Sequence, residues 1–144
     1  LRVFYARNQF PEVVQALKED VARVKGWLSR WIGSTGTEET TCMTLVSGEG
    51  GGFATGKSVM VAAISREGLL SVFAHELSHN VLGPPNDRRD KWCGQWPVLF
   101  GEAHAGWFQR KTMAKLLEEK GSGRGLISVC TAGGMGVTAF MEAA

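Results

Sequence analysis

Residues 66 to 85, REGLLSVFAHELSHNVLGPP, constrain the fold of this chain more than any other stretch. Ser65 offers a side-chain cap for a helix beginning at Arg66, and Gly83 followed by Pro84 and Pro85 stops it. The run LLSVFA is apolar on every side, so such a helix must be buried rather than laid on a surface. Its second half is polar: HELSH places His75 and His79 four residues apart, on one helical face, with Glu76 beside them and offset by one position. A helix of this kind has to sit inside a domain and hold two imidazoles there.

Two histidines one turn apart can bind a single metal ion, and this spacing serves zinc hydrolases. A catalytic zinc keeps three protein ligands and a water, and a neighbouring carboxylate can take a proton from that water as it attacks a carbonyl. Glu76 is placed for this role. The bland alternative, a chance pattern on a solvated helix, is weakened because His75 and His79 are two of only three histidines in the chain. A third ligand six residues after His79 is excluded, since that position is Pro85, which has no donor group. A glutamate on a later helix is the other arrangement, and GEAHAGWFQRK supplies Glu102. Asp87 and Asp90 are alternatives that read better as solvated turn residues. His104 follows Glu102 by two residues, a rotation of about 200°, which puts it on another face as a packed histidine or a supporting group near the site.

Elsewhere, RVFYA reads as a short strand, and Val13, Val14, Leu17, Val21, Val24, Leu28 and Trp31 recur at helical spacing, predicting one long helix with Pro11 in its first turn and Gly33 at its end. A strand is expected over residues 41 to 46, a glycine-rich turn or connection over 48 to 56, and a strand over SVMVAAIS. A last helix is expected from about Leu99 to Lys120, closed by Gly121, and the segment 121 to 144 stays unassigned, a further helix or the start of another element.

The segment GGFATGKS, residues 51 to 58, also fits the phosphate-binding pattern G-x-x-x-x-G-K-[ST]. That pattern requires a helix directly after it and an acidic residue ending an apolar strand. Residues 59 to 64 read as strand, and none of Asp20, Asp87 and Asp90 ends an apolar run. Lys57 and Ser58 are therefore read as turn and strand-start residues, with nucleotide binding as the lesser alternative.

The 144 residues and 44% apolar content fit a single domain, and the chain opens on Leu1 without a signal-like segment, so it is expected to be a piece of a longer protein. Sixteen basic and 14 acidic residues leave a net charge of +2, no excess for nucleic acid, and no apolar run approaches the roughly 18 residues of a membrane span. Cys42, Cys93 and Cys130 fit no zinc-ribbon spacing and are expected to be packed thiols.

In order and spacing, GFATG, SVMVAAIS, HELSH and WPVLFGEAHAGW resemble the compact gluzincin domains called peptidase MA-like, relatives of the thermolysin and M1 aminopeptidase catalytic cores. Ala103 and His104 stand where that family usually has glycine and an apolar residue. The resemblance implies a zincin-like α+β domain, a small twisted sheet of three or four strands with the metal-binding helices on one face. It implies a zinc peptidase with His75, His79 and Glu102 as ligands and Glu76 as proton acceptor, acting on a peptide or protein substrate. Val59, Met60, Val61, Ala62 and Ala63 would form the edge strand that holds substrate in extended form. Family sites add a tyrosine or histidine for the oxyanion, whereas the single tyrosine here is Tyr5 in the first strand. Either His104, a backbone donor or a residue outside this fragment serves the oxyanion, or the second expectation holds, a zinc-bearing peptide-binding module without turnover or with weak turnover.

Overall fold

The apolar spacing of the N-terminal third forms two consecutive helices rather than one: α1 (Pro11–Glu19) and α2 (Val21–Ile32), which follow the strand β1 (Arg2–Tyr5). The interruption falls at Asp20, although hydrogen bonding runs through it, from Asp20 N to Ala16 O and from Val24 N to Asp20 O. Aspartate is a poor residue for a helix interior, and here its carboxylate is drawn away to Arg23 and Arg66, both at 2.7 Å. Both helices still bury one face, Val13, Ala16 and Leu17 on α1 and Val21, Val24, Trp27 and Leu28 on α2.

The computed structural model describes residues 1–32, 42–48, 50–55, 57–82, 96–131 and 135–143. After α2 come β2 (Cys42–Val46), β3 (Gly50–Thr55), β4 (Ser58–Ala63), α3 (Arg66–Leu82), α4 (Trp96–Lys120), β5 (Arg124–Thr131) and β6 (Met135–Glu142). The fold is thus α+β, with four helices and a small sheet among the described residues, none of the helices being long and apolar enough to cross a membrane.

The main sheet has the order β1-β2-β4-β3, with β1, β2 and β4 parallel and β3 antiparallel to β4. Two expectations are corrected here. The glycine-rich segment is a strand, not a turn: Gly50 to Thr55 pair residue by residue with Ala63 to Ser58. Consequently β4 is interior to the sheet and β3 is its edge, so Val59, Met60, Val61, Ala62 and Ala63 cannot offer a free edge to a substrate. Both backbone sides of β4 are already paired, and Val59, Val61 and Ala63 are buried in the core. Lys57 is a turn residue between β3 and β4 and Ser58 opens a strand, so the phosphate-loop pattern lacks the helix it requires.

Met43, Leu45, Val59, Val61 and Ala63 face the helices and meet α3, whose Leu69, Leu70, Phe73, Ala74 and Leu77 are fully buried. α3 is the central element, packed on β3 and β4 and against α1, α2 and α4. α4 packs on α3 and β5, so only one of the two ligand-bearing helices lies directly on the sheet. The N-terminus of α3 is capped as its sequence predicts, Ser65 Oγ accepting from Gly68 N at 3.1 Å. Gly121 ends α4 in the left-handed region (φ 67°). The unassigned tail is not a helix: β5 and β6 form an antiparallel two-stranded sheet, with Arg124 opposite Glu142 and Val129 opposite Val137.

Candidate metal centre

Because α3 is buried on nearly all sides, its polar residues need partners, and α4 provides them. His75 and His79 lie one turn apart with ring centroids 4.8 Å from each other and planes at 76°. Glu102, in the first third of α4, faces both: Oε2 is 3.2 Å from His75 Nε2 and Oε1 is 3.4 Å from His79 Nε2. One ligand atom from each residue falls within 4.8 Å of the others, so the three residues expected from the sequence are brought together in a group able to hold a metal ion. Bonds of about 2.0–2.1 Å in a tetrahedral zinc site would put neighbouring ligand atoms roughly 3.3 Å apart, close to both separations seen here.

The protonation pattern points the same way. His75 Nδ1 is 3.1 Å from Gln109 Oε1, an oxygen that can only accept; with the ring hydrogen on Nδ1, the Nε2 lone pair faces the Glu102 carboxylate. With the proton on Nδ1, Nε2 and Oε2 at 3.2 Å are two acceptors that a proton or a cation between them would bring into a favourable contact. Protonating His75 is disfavoured: burial lowers its pKa, and the charge of His104 adds to this, against an opposing contribution from the Gln109 hydrogen bond. A metal ion held by the three residues would meet both lone pairs.

Glu76 is buried, with 6% of its surface exposed, next to this group. Burial first, and the Glu102 charge second, raise its pKa from 4.5 to about 7. Its other neighbour is β3. A side chain at Gly52 would meet Glu76 Cγ at 2.5 Å and Oε1 at 2.7 Å, so the edge strand passes over the carboxylate at a distance only glycine permits. His104 is not one of the three clustered ligands, but its ring centroid is 6.1 Å from that of His79. Tyr5 is on β1, separated from the edge strand β3 by β2 and β4, and exposed. Asp87 and Asp90, the alternative ligands, lie outside the described residues, as does Cys93; Cys42 is a half-buried free thiol.

Two participants were missed by reading the sequence alone. Gln109 follows Glu102 by two helical turns and therefore shares its face, which a projection of α4 around its axis would show. Gly52 carried no local signal, because a triple glycine reads as a turn until its pairing with β4 is known. No protein-family model matches the chain, and no curated protein is significantly similar to it.

Proposed function

We propose that the chain is a zincin-like, zinc-dependent peptidase domain of the gluzincin type. The observation that carries this reading is the meeting of His75, His79 and Glu102 around one point, with a buried carboxylate of raised pKa, Glu76, next to it. Bound zinc would supply a Lewis acid that polarises the scissile carbonyl and acidifies a water. Glu76, buried next to the ligands, would accept a proton from that water at its carboxylate and pass it to the leaving amine. A peptide in extended form would lie along β3, the edge strand that runs beside Glu76, and pair with its backbone.

The position of Tyr5 at the far side of the sheet favours one second reading, a zinc-bearing peptide-binding module that does not turn over. His104 is the described side chain near the ligands that could bind an oxyanion in the peptidase. Elemental analysis of protein purified without chelator should find about one zinc per chain, diminished in His79→Ala and in Glu102→Gln. The same preparation is offered a peptide library. Cleavage supports the peptidase, peptide binding without cleavage supports the module, and a wild-type protein without affinity for zinc ends both readings.

A further inference from the structure

We infer that Gln109 is a positioning residue of the metal centre: its carboxamide oxygen holds His75 as the Nδ1–H tautomer and aims Nε2 at the point shared with His79 and Glu102. The inference rests on the metal reading above and adds to it the residue that makes His75 a competent ligand.

The geometry is specific. Gln109 is 7% exposed, and its Oε1 lies 3.1 Å from His75 Nδ1. Burying a carboxamide is costly unless its polar atoms are used, and leucine or methionine would fill similar space. Glu102 and Gln109 are separated by two turns, so one side of α4 faces the His75 ring at both nitrogens, with Glu102 Oε2 at 3.2 Å from Nε2 and Gln109 Oε1 at 3.1 Å from Nδ1. His75 therefore has its orientation and its tautomer set by the same helix that supplies the third ligand. Outer partners of this kind are worth on the order of 10- to 100-fold in metal affinity.

An amide acceptor differs from a carboxylate at this place. The three clustered residues already include one carboxylate, and Glu76 brings a second beside them. A neutral acceptor orients the imidazole without adding a further negative charge to this partly buried group.

The test uses the full chain and three variants, Gln109→Leu and Gln109→Met, which keep bulk without an acceptor, and Gln109→Glu, which restores one. Nitrogen NMR of the metal-free protein should show His75 as the Nδ1–H tautomer in wild type and Gln109→Glu, and a tautomer mixture in the other two. Zinc affinity, measured by competition with a chelator, should fall about 10- to 100-fold in Gln109→Leu and Gln109→Met and recover in Gln109→Glu. Thermal unfolding of the metal-free proteins checks that the fold is kept. Equal weakening in all three variants would reduce Gln109 to a packing residue and overturn the inference. So would unchanged tautomer and affinity in the Leu and Met variants while Glu102→Gln loses zinc, an outcome that leaves the metal reading standing. Absence of zinc binding by wild type ends the metal reading and this inference together.

Discussion

Two buried carboxylates, Asp20 and Glu76, are treated in opposite ways by this fold. The Asp20 side chain, 12% exposed, meets Arg23 and Arg66 at 2.7 Å each. Burial pushes its pKa up, but the hydrogen bonds and charges of Arg66 and Arg23 together outweigh that and leave it below the ordinary value. Among the described residues no such cation meets Glu76, and burial and Glu102 both push it up, to about 7. Asp20 ties the junction of α1 and α2 to the start of α3, through Arg66. It is held ionised, as a structural ion pair should be. Glu76 is left poised between its two states, which suits proton transfer.

The sharpest way to break this contrast is turnover. Glu76→Gln keeps the volume of the side chain and removes the group that takes a proton, so cleavage should fall by at least ~10²-fold while zinc content is kept. Asp20→Asn should leave kcat within a few-fold, being remote from the reacting atoms. Peptide cleavage by Glu76→Gln at the wild-type rate, with zinc retained, would remove Glu76 from the mechanism.

A second effect concerns the metal-free protein. The folded pKa of Glu76, about 7, stands above the unfolded value near 4.5, so its favourable contribution is full below 4.5 and lost as pH rises through 7. At pH 8 the wild type must bury a charge that glutamine does not carry. Glu76→Gln should then be the more stable protein by up to about 3 kcal/mol, the equivalent of the shift, with the difference vanishing near pH 4. His75, whose pKa is lowered, works in the opposite direction, losing stability as pH falls below about 6.5, but it is present in both proteins and cancels in the comparison. Urea unfolding at the two pH values reads the difference.

Asp20→Asn should show the reverse sign. Its lowered pKa means that the ion pairs stabilise above the unfolded value of 3.8 and are lost as pH falls through the folded one. With Arg23 and Arg66 partly exposed, the loss at pH 7 is expected to be about 1–2 kcal/mol, less than for a fully buried pair, and to shrink in acid. A variant as stable as wild type at pH 7 would make the cluster ornamental.

How far these features could be read in advance follows from how local their causes are. The ends of α3 and the face shared by His75 and His79 depend on neighbours within a turn or two, Ser65 and Gly68 at one end, and were legible. The meeting of Glu102 with His75 and His79 was anticipated because two histidines on one face call for a third donor and few residues could supply it. The interruption at Asp20 was only partly open to reading: aspartate's weak helix propensity and Arg23 are local, but the second partner of its carboxylate, Arg66, is 46 residues away. The sheet edge was misassigned for the same reason: SVMVAAIS has the better strand composition, but strand order is decided by which chain pairs with β2, and the glycine-rich β3 takes the outside. The hairpin β5–β6 was missed although Ile127, Val129, Val137 and Thr138 are β-branched, because its two halves make sense only when paired.

The smallest expected effect tests how Glu76 is kept in place without a cation. Where Asp20 is anchored by two guanidinium groups, Glu76 is confined by the backbone of β3 passing at Gly52. An alanine there would place Cβ 2.5 Å from Glu76 Cγ and 2.9 Å from Cδ, so the carboxylate or the strand has to move. Gly50, two residues away on the same strand, has nothing within 4 Å of a Cβ and does not need positive φ, so Gly50→Ala is the matched control. Gly52→Ala should lower kcat about tenfold, the size of effect that a misplaced proton acceptor produces short of its removal, with zinc content unchanged because the contact is to Glu76 and not to His75, His79 or Glu102. Gly50→Ala should stay near wild type. If both variants cleave equally well, β3 does not set the position of Glu76, and the placement of a substrate strand along that edge loses its main structural support.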